Sequence, residues 1–215
     1  MCIDGLQKEL FYKVTEAKTY KDFDMVECAE EWGKLYYGNW SSEYKKHTKL
    51  LNNLDTCVRS PIEMYTGYSA GLLNNSMREN NYTDRNLYVL EKILEGIILL
   101  SPKIPEDIVV YRLVPNKVIE QVFNKEQEGI YTYFEKGFMS TSLCKNFYQL
   151  NSREAYAKEK NLLRIRVNKD TPGIFVDLID NRQECEIIFM PNTMLGFIAK
   201  PYKKDEMTIY ECIMV

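Results

Sequence analysis

The chain has 215 residues, of which 45% are apolar and 27% charged, and its net charge is −3. This length suits one domain with its own core, and the weak negative charge gives no basis for electrostatic capture of nucleic acid or anionic membranes. The longest apolar run, 96–100, is too short to cross a bilayer, and the N-terminus has no apolar run of signal-peptide length. We therefore expect one domain over 1–215, with neither a nucleic-acid nor a membrane partner.

Cysteine and histidine usage bears on metal chemistry. The six cysteines are scattered without a CxxC pair, and His47 is the only histidine. Because zinc sites need clustered thiol and imidazole ligands, we expect no metal site and reduced cysteines. Acid–base chemistry must then come from carboxylates, tyrosines or lysines.

The first half of the chain, 1–101, is expected to be helical. Apolar side chains recur at helical spacing over three segments, 24–36, 42–57 and 85–100. A further helix begins at a capping box, with Ser60 as the N-cap, Pro61 at the first helical position and Glu63 three residues after the cap. Two prolines that follow residue 101 end this half.

The second half, 102–215, changes to short strand patterns with polar turns between them. The expected strands are 108–114, 137–142, 162–167, 173–178, 184–190, 195–200 and 207–214. Helical spacing returns only near 117–123 and 152–160. Helices followed by strands predict an α+β domain, because alternating βαβ units would interleave the two patterns.

Three polar motifs stand at strand positions in this second half. Arg112 lies in the first strand, Ser140-Thr141-Ser142 ends the second, and Glu184-x-Glu186 opens a later one. Strand side chains alternate between two faces, so Ser140 and Ser142 should share one face, as should Glu184 and Glu186. Each motif alone is weak evidence, and their joint order is what indicates a site.

This order resembles the toxin-type mono-ADP-ribosyltransferases of the Arg–Ser–Glu class. That class includes the clostridial and bacillar binary actin toxins, the vegetative insecticidal toxins and the Rho-modifying exoenzymes. The helical half is similar too, through Tyr65-Thr66, Leu73-Asn74 and Met77-Arg78. The resemblance implies N-terminal helices packed on a two-sheet, mixed or antiparallel β-sandwich core of the ADP-ribosyltransferase type.

The resemblance also implies an activity: transfer of ADP-ribose from NAD to a protein side chain, with release of nicotinamide. Glu186 would stabilise the oxocarbenium-like ribose, Ser140 would orient Glu186, and Arg112 would contact NAD. Glu184 would face the acceptor, and a glutamate at that place accompanies arginine acceptors in the family. The implied NAD-binding residues are Arg112, Ser140, Thr141, Ser142, Tyr65, Asn74 and Arg164.

Two departures from the family pattern concern the acceptor. Ala70 takes the place of a second tyrosine that the family often has, and the loop 177–182 lacks the aromatic residue that often recognises the protein substrate. Two alternatives to transfer are an NAD glycohydrolase, which breaks the same bond, and a catalytically silent docking domain. A docking domain typically loses the Arg–Ser–Glu set, and this chain keeps it.

Partners and localisation follow from the resemblance alone. It implies a monomer that modifies a protein acceptor such as actin or a small GTPase. It also implies a protein that is secreted or delivered into the cytosol of a target cell. Without a signal peptide in the sequence, a phage or intracellular enzyme fits equally well.

Overall fold

The computed structural model describes residues 18–52, 59–123, 131–150, 159–180 and 182–215, without the side chains of 49–52 and 149–150. Its helices are α1 Val26–Asn52, α2 Pro61–Met64, α3 Ala70–Glu79, α4 Arg85–Leu100, α5 Asn116–Phe123 and α6 Phe147–Leu150. Its strands are β1 Ile108–Val114, β2 Thr132–Glu135, β3 Met139–Ser142, β4 Asn161–Val167, β5 Gly173–Phe175, β6 Glu186–Phe189, β7 Thr193–Phe197, β8 Tyr202–Lys204 and β9 Met207–Met214. No helix in these ranges is long and apolar enough to span a membrane.

The predicted capping box is confirmed at the start of α2. The Ser60 hydroxyl accepts the backbone N–H of Glu63, whose carboxylate accepts the Ser60 N–H at 2.8 Å. A π-helical turn, Tyr65–Ser69, then leads into α3, which ends at Asn80 in the left-handed conformation. This turn supplies residues to the site described below.

The two helices predicted at 24–36 and 42–57 form one continuous helix, α1, as far as Asn52. Residues 53–58 lie outside the described part of the chain. Gly33 within α1 is required by packing, because a Cβ there would lie 2.3 Å from the Phe175 ring. The helix thereby approaches β5 closely, and Trp32 and Tyr37 pack beside the same ring.

The strands form a nine-stranded mixed sheet in the order β2-β7-β9-β4-β1-β3-β6-β5, with β8 paired to β9. The described pairs are antiparallel apart from β4 with β9. The α+β prediction is confirmed, whereas its division into two packed sheets is not, because hydrogen bonds link all nine strands. β1 and β3 share a single register pair, Tyr111 with Ser142, and two groups of strands join there.

Strand boundaries differ most from prediction near polar residues. β1 and β9 match, but β3 begins at Met139 and β6 at Glu186. Neither β2 nor β8 was predicted, because both expose most of their side chains and lack an apolar stripe. The helical spacing at 117–123 corresponds to α5, while nearly all of 152–160 lies outside the described residues.

Both faces of β6 are buried, and this places the site. Ile187 belongs to a core shared with α1, β1 and β4, whereas Ile188 belongs to a second core shared with α2, α3 and α4. In the β3–β6 register, Ser140 lies opposite Ile188 and Ser142 lies opposite Glu186. Directly opposed residues point to the same face, so these polar groups face the helices α2 and α3.

Candidate active site

A cavity of about 430 Å³ lies between the sheet and the helical segment that joins α2 to α3. It is lined by the π-helical turn, by β1 and β3, and by the segment that precedes β6. The predicted site residues that line it are Tyr65, Asn74, Arg112, Ser140, Thr141, Ser142, Glu184 and Glu186. The fold therefore brings together residues that are more than 100 positions apart in the sequence.

Arg164 is the exception among the predicted site residues and does not line this cavity. Its guanidinium binds the carboxylates of Asp22 and Glu211, each at 2.9 Å. The β1–β4 register sets Arg164 opposite Tyr111 instead of opposite Arg112. Because neighbouring residues of a strand point to opposite faces, its side chain leaves the sheet on the face opposite to Arg112. The structure thus gives no support to Arg164 as an NAD contact.

Glu186 is the first residue of β6 and is 5% exposed. Burial raises the pKa of Glu186 to about 7. The Arg182 guanidinium, whose Nη1 lies 3.4 Å from Glu186 Oε2, and a hydrogen bond from Ser140 oppose this rise, while the charge of Glu184 adds to it. The carboxyl group therefore gains and loses its proton near neutral pH.

Glu184 also faces the cavity, but not through strand alternation. It precedes β6, and its neighbours Gln183 and Cys185 both have left-handed backbones, with φ of 58° and 49°. A left-handed backbone destabilises the fold by about 1–2 kcal/mol at each residue that is not glycine, asparagine or aspartate. The two glutamates were predicted to share a face because both would lie in one strand. Glu184 lies before that strand, so this reason is wrong, although both residues line the cavity.

Hydrogen bonds hold the segment around Glu184 in place. The carboxylate of Asp177 accepts the backbone N–H groups of Glu184, Cys185 and Glu186 at 2.6–3.0 Å. On the other side, the Ser142 hydroxyl donates to the Glu184 carbonyl at 2.6 Å. Gln183 is exposed and does not line the cavity.

Arg112 reaches the cavity from β1 and is fixed by a buried carboxylate. Its Nη2 donates to Glu135 Oε2 at 2.9 Å, and Arg78 donates to both oxygens of the same carboxylate. Burial would raise the pKa of Glu135, but the two guanidinium groups hold it below its usual value. Arg112 Nη1 is buried and has no hydrogen-bond partner among the described residues. One guanidinium N–H pair of a cavity-lining residue therefore has unused hydrogen-bonding capacity.

Tyr65 and Asn74 position the strand that carries the serines. The Asn74 side chain accepts the Phe138 N–H at 2.9 Å and donates to the Phe138 carbonyl at 3.2 Å. The Tyr65 hydroxyl lies 3.3 Å from Ser140 Oγ. Gly137 permits this close approach, because a Cβ there would lie 2.7 Å from Asn74 Oδ1. The helical half thus fixes the position of Ser140.

Four residues of the site were not predicted from the sequence: Arg78, Glu135, Asp177 and Arg182. Arg78 lay within the helical segment that resembled the family, so its place in the chain was already marked. Asp177 lies within the predicted strand 173–178, where nothing marks it as part of a site, and Glu135 and Arg182 lie outside every predicted element. Only their contacts with Arg112, with the backbone of 184–186 and with Glu186 reveal them.

The arrangement separates two kinds of charge. Arg112 and Arg78 flank one buried carboxylate, so that part of the cavity carries an excess positive charge suited to phosphate groups. Glu184 and Glu186 supply carboxylates that can stabilise a developing cation and accept a proton. In the described part of the chain, no group of three or more histidine, cysteine, aspartate or glutamate residues could hold a metal ion.

Solved structures with the same fold include two ADP-ribosylating toxins and an exoenzyme. Plx2a from Paenibacillus larvae has a TM-score of 0.68 at 18% identity, over 90% of this chain and 98% of that one. BECa, from a binary enterotoxin of C. perfringens and solved with NADH, has a TM-score of 0.69 at 17% identity, over 92% of this chain. The C3 exoenzyme of Clostridium limosum has a TM-score of 0.65 at 14% identity, over 93% and 98% of the two chains. This chain spans only 50% of the length of BECa.

At these identities the structural likeness shows the fold alone. No curated protein matches the sequence. The sequence profile of the ADP-ribosyltransferase exoenzymes, however, matches residues 29–209, which is most of the chain and includes every residue that lines the cavity. Members of that family transfer ADP-ribose from NAD, and the chain belongs to the ADP-ribosyltransferase exoenzyme family.

Proposed function

We propose that this protein transfers ADP-ribose from NAD to an arginine side chain of another protein. The observation that carries the proposal is the meeting of Glu184, Glu186, Ser140 and Arg112 at one cavity. In this reaction the glycosidic bond between the ribose carbon C1 and the nicotinamide nitrogen breaks, and nicotinamide leaves with the bonding electrons. A guanidinium nitrogen of the acceptor then bonds to C1 and gives up a proton.

NAD would be held mainly by its pyrophosphate and its nicotinamide ribose. Arg112 and Arg78 both line the cavity and would attract the phosphates through their positive charge, and Arg112 Nη1, which has no partner of its own, would donate to a phosphate oxygen after a small rotation of its side chain. Ser140 and Tyr65, which lie within hydrogen-bond distance of each other, would orient the nicotinamide ribose. Asn74, Thr141 and Ser142 would act by holding β3 and its neighbours, since each is bonded to backbone groups.

Glu186 would stabilise the oxocarbenium-like ribose, as carboxylates do in glycoside hydrolysis. Its contact with Arg182 neutralises the carboxylate before the substrate enters. A cationic nicotinamide ribose in the cavity would compete with Arg182 for the same oxygen atoms. Such a buried carboxylate, held in place before reaction, is worth several kcal/mol in the transition state.

Glu184 would accept the proton from the acceptor guanidinium. It is buried beside Glu186 and lines the cavity, so a cationic acceptor would meet two carboxylates together. Gln183, the nearest alternative, points to solvent, which argues against the asparagine-directed pattern that the family associates with glutamine at this place. We therefore propose arginine as the acceptor residue.

The decisive experiment incubates the purified chain with labelled NAD and a cell lysate, together with Glu184→Gln and Glu186→Gln. We expect a labelled protein with wild type, loss of labelling in both variants, and an ADP-ribosylated arginine in the labelled peptide by mass spectrometry. Nicotinamide release without protein labelling, unaffected by Glu184→Gln, would instead identify an NAD glycohydrolase. An absence of NAD turnover by wild type would favour a docking domain and contradict the proposal.

The same assay identifies the acceptor. We propose a host protein such as actin or a small GTPase, modified by a monomeric enzyme in the cytosol of the target cell. Purified actin and a purified Rho-type GTPase should be tested side by side at equal concentration. Labelling of neither, with a labelled band still present in the lysate, would rule out both and direct the search to that band.

A further inference from the structure

We propose that Asp177 is the positioning residue that holds Glu184 and Glu186 at the reacting ribose. This inference rests on the proposed function, because it assigns the two glutamates their catalytic work. Asp177 does not line the cavity and would position the two glutamates through the backbone of 184–186.

The geometry of Asp177 is that of an anion bound by successive backbone amides. Oδ2 accepts the N–H groups of Glu184 at 2.9 Å and Cys185 at 2.6 Å, and Oδ1 accepts that of Glu186 at 3.0 Å. Three consecutive N–H groups turned toward one carboxylate form a nest, a backbone concavity that binds negative charge. Both carboxylate oxygens are therefore used, and they hold the segment that carries Glu184 and Glu186.

This segment needs an external constraint. Gln183 and Cys185 flank Glu184 with positive φ angles, although neither is a glycine, asparagine or aspartate. Backbones in this region persist only where surrounding contacts hold them. An extended segment would be the relaxed alternative, and it would change the direction in which Glu184 points.

The position of Asp177 in the fold is itself well fixed. It lies two residues after the end of β5, and the residue between them, Val176, donates its N–H to the Glu186 carbonyl at 3.0 Å. Glu186 thus both donates to Asp177 and accepts from Val176, so the end of β5 fixes the start of β6. The Leu143 N–H donates to the Cys185 carbonyl at 3.0 Å from the opposite side.

Asp177 also has an electrostatic effect that makes the proposal testable. Burial raises the pKa of Glu186, and the negative charges of Glu184 and Asp177 raise it further, against Arg182 and Ser140. Tyr65 and Arg112 also lie close enough to interact electrostatically at this site. Removing the Asp177 charge should therefore lower the pKa of Glu186, whereas a purely structural residue would leave that pKa unchanged.

The test compares Asp177→Asn with Asp177→Glu and with the control Asp205→Asn. The asparagine keeps one acceptor oxygen and turns an NH₂ group toward backbone N–H donors. Asp205 makes the same change of residue type at an exposed turn between β8 and β9, where its left-handed backbone tolerates asparagine, and it does not line the cavity. We expect Asp177→Asn to lower kcat about tenfold or more, with KM for NAD changed less than about twofold.

Two further readouts accompany the kinetics. The acid limb of the kcat profile should move to lower pH in Asp177→Asn and return in Asp177→Glu, which restores the charge. Amide hydrogen exchange at 184–186 should become faster in Asp177→Asn alone. Wild-type kcat in Asp177→Asn, or a loss of kcat with unchanged pH profile and unchanged exchange, would overturn the proposal.

Failure of the proposed function would look different. If the wild-type chain does not turn over NAD, the function fails, and hydrogen exchange at 184–186 still tests whether Asp177 holds this segment. Unchanged exchange in Asp177→Asn would then overturn the positioning role as well. Faster exchange would support it without any dependence on catalysis.

Discussion

Glu186 combines burial with a carboxylate whose pKa lies near neutrality, and both properties can be measured. Burial raises its pKa to about 7, against the hydrogen bond from Ser140 and the charge of Arg182. The ionised form is the one that would stabilise a cationic ribose. We therefore expect the ionisation of Glu186 to limit the pH range in which the enzyme is active and to lower the stability of the fold at alkaline pH.

We expect kcat/KM for NAD to rise with pH through a midpoint of about 7, because Glu186 of the free enzyme must lose its proton. The measurement is nicotinamide release between pH 5.5 and 8.5 at subsaturating NAD. As a control, the same profile of kcat at saturating NAD should have its midpoint at lower pH, because the cationic nicotinamide of bound NAD favours the ionised carboxylate. A flat profile over this range would contradict the role of Glu186.

Glu186→Gln should make the folded protein more stable at alkaline pH. The folded-state pKa is about 7 and the usual value is 4.5, so the protonated group stabilises the fold below pH 4.5, and this contribution is lost as pH rises to about 7. The variant carries no buried charge, so its free energy of unfolding at pH 8 should exceed that of wild type by up to about 3 kcal/mol.

Chemical denaturation at pH 8 and pH 5 checks this prediction. The difference between variant and wild type should fall to about 1 kcal/mol or less at pH 5, where the folded-state group is protonated and the unfolded-state group is only partly ionised. Equal differences at both pH values would show that packing, not charge, separates the two proteins.

At the scale of elements, the decisive contact is that of α3 with the start of β3. Asn74 binds both backbone groups of Phe138, and Gly137 leaves the room for it. The helical half therefore has a direct function, because it sets the position of Ser140 and, through the β3–β6 register, of Glu186.

Gly137→Ala should displace this contact, because the new Cβ would lie 2.7 Å from Asn74 Oδ1. We expect overpacking to lower the free energy of unfolding by about 1–3 kcal/mol. The loss in kcat/KM, expressed as a transition-state free energy, should be larger than this. Gly38→Ala in α1 is the matched control, since its Cβ meets nothing within 4 Å. That control should keep full activity and gain up to about 1 kcal/mol. Wild-type kinetics in Gly137→Ala would show that the α3–β3 contact does not position the site.

At the scale of the whole molecule, the sheet brings distant strands to one cavity. Three strands, β7, β9 and β4, lie between β2 and β1 in the sheet order, yet Glu135 of β2 contacts Arg112 of β1. The sheet must therefore curve until β2 and β1 approach each other, as strand twist allows. β1 and β3 meet only at the pair Tyr111 with Ser142, and the cavity lies at that junction.

Glu135→Gln should weaken NAD binding, because Arg112 and Arg78 would lose the charge that aims them. We expect KM for NAD to rise about tenfold, with a smaller change in kcat. Glu120→Gln, on the exposed side of α5, is the control and should leave both constants unchanged. A lower kcat at unchanged KM would place Glu135 in the chemical step and contradict its assignment to binding.

The sequence by itself determined the succession of helices and strands, because local signals carry it. The capping box at Ser60, the apolar stripe of α4 and the apolar runs of β1 and β9 depend on near neighbours in the chain. The motif order of Arg112, Ser140 and Glu186 was also readable, because each lies in a local strand element, and the three residues line one cavity. The α+β class and the family follow from this information.

Only the tertiary structure decided which charges meet. Arg164 and Arg112 both lie in predicted strands, and the sequence cannot tell which face each one occupies. The β1–β4 register places them on opposite faces of the sheet. Glu184 faces the cavity through a left-handed segment held by Asp177, which no alternation rule anticipates. Glu135 reaches Arg112 across a coiled sheet. Register, backbone strain and sheet curvature are set by long-range packing, and a periodic pattern in one segment cannot encode them.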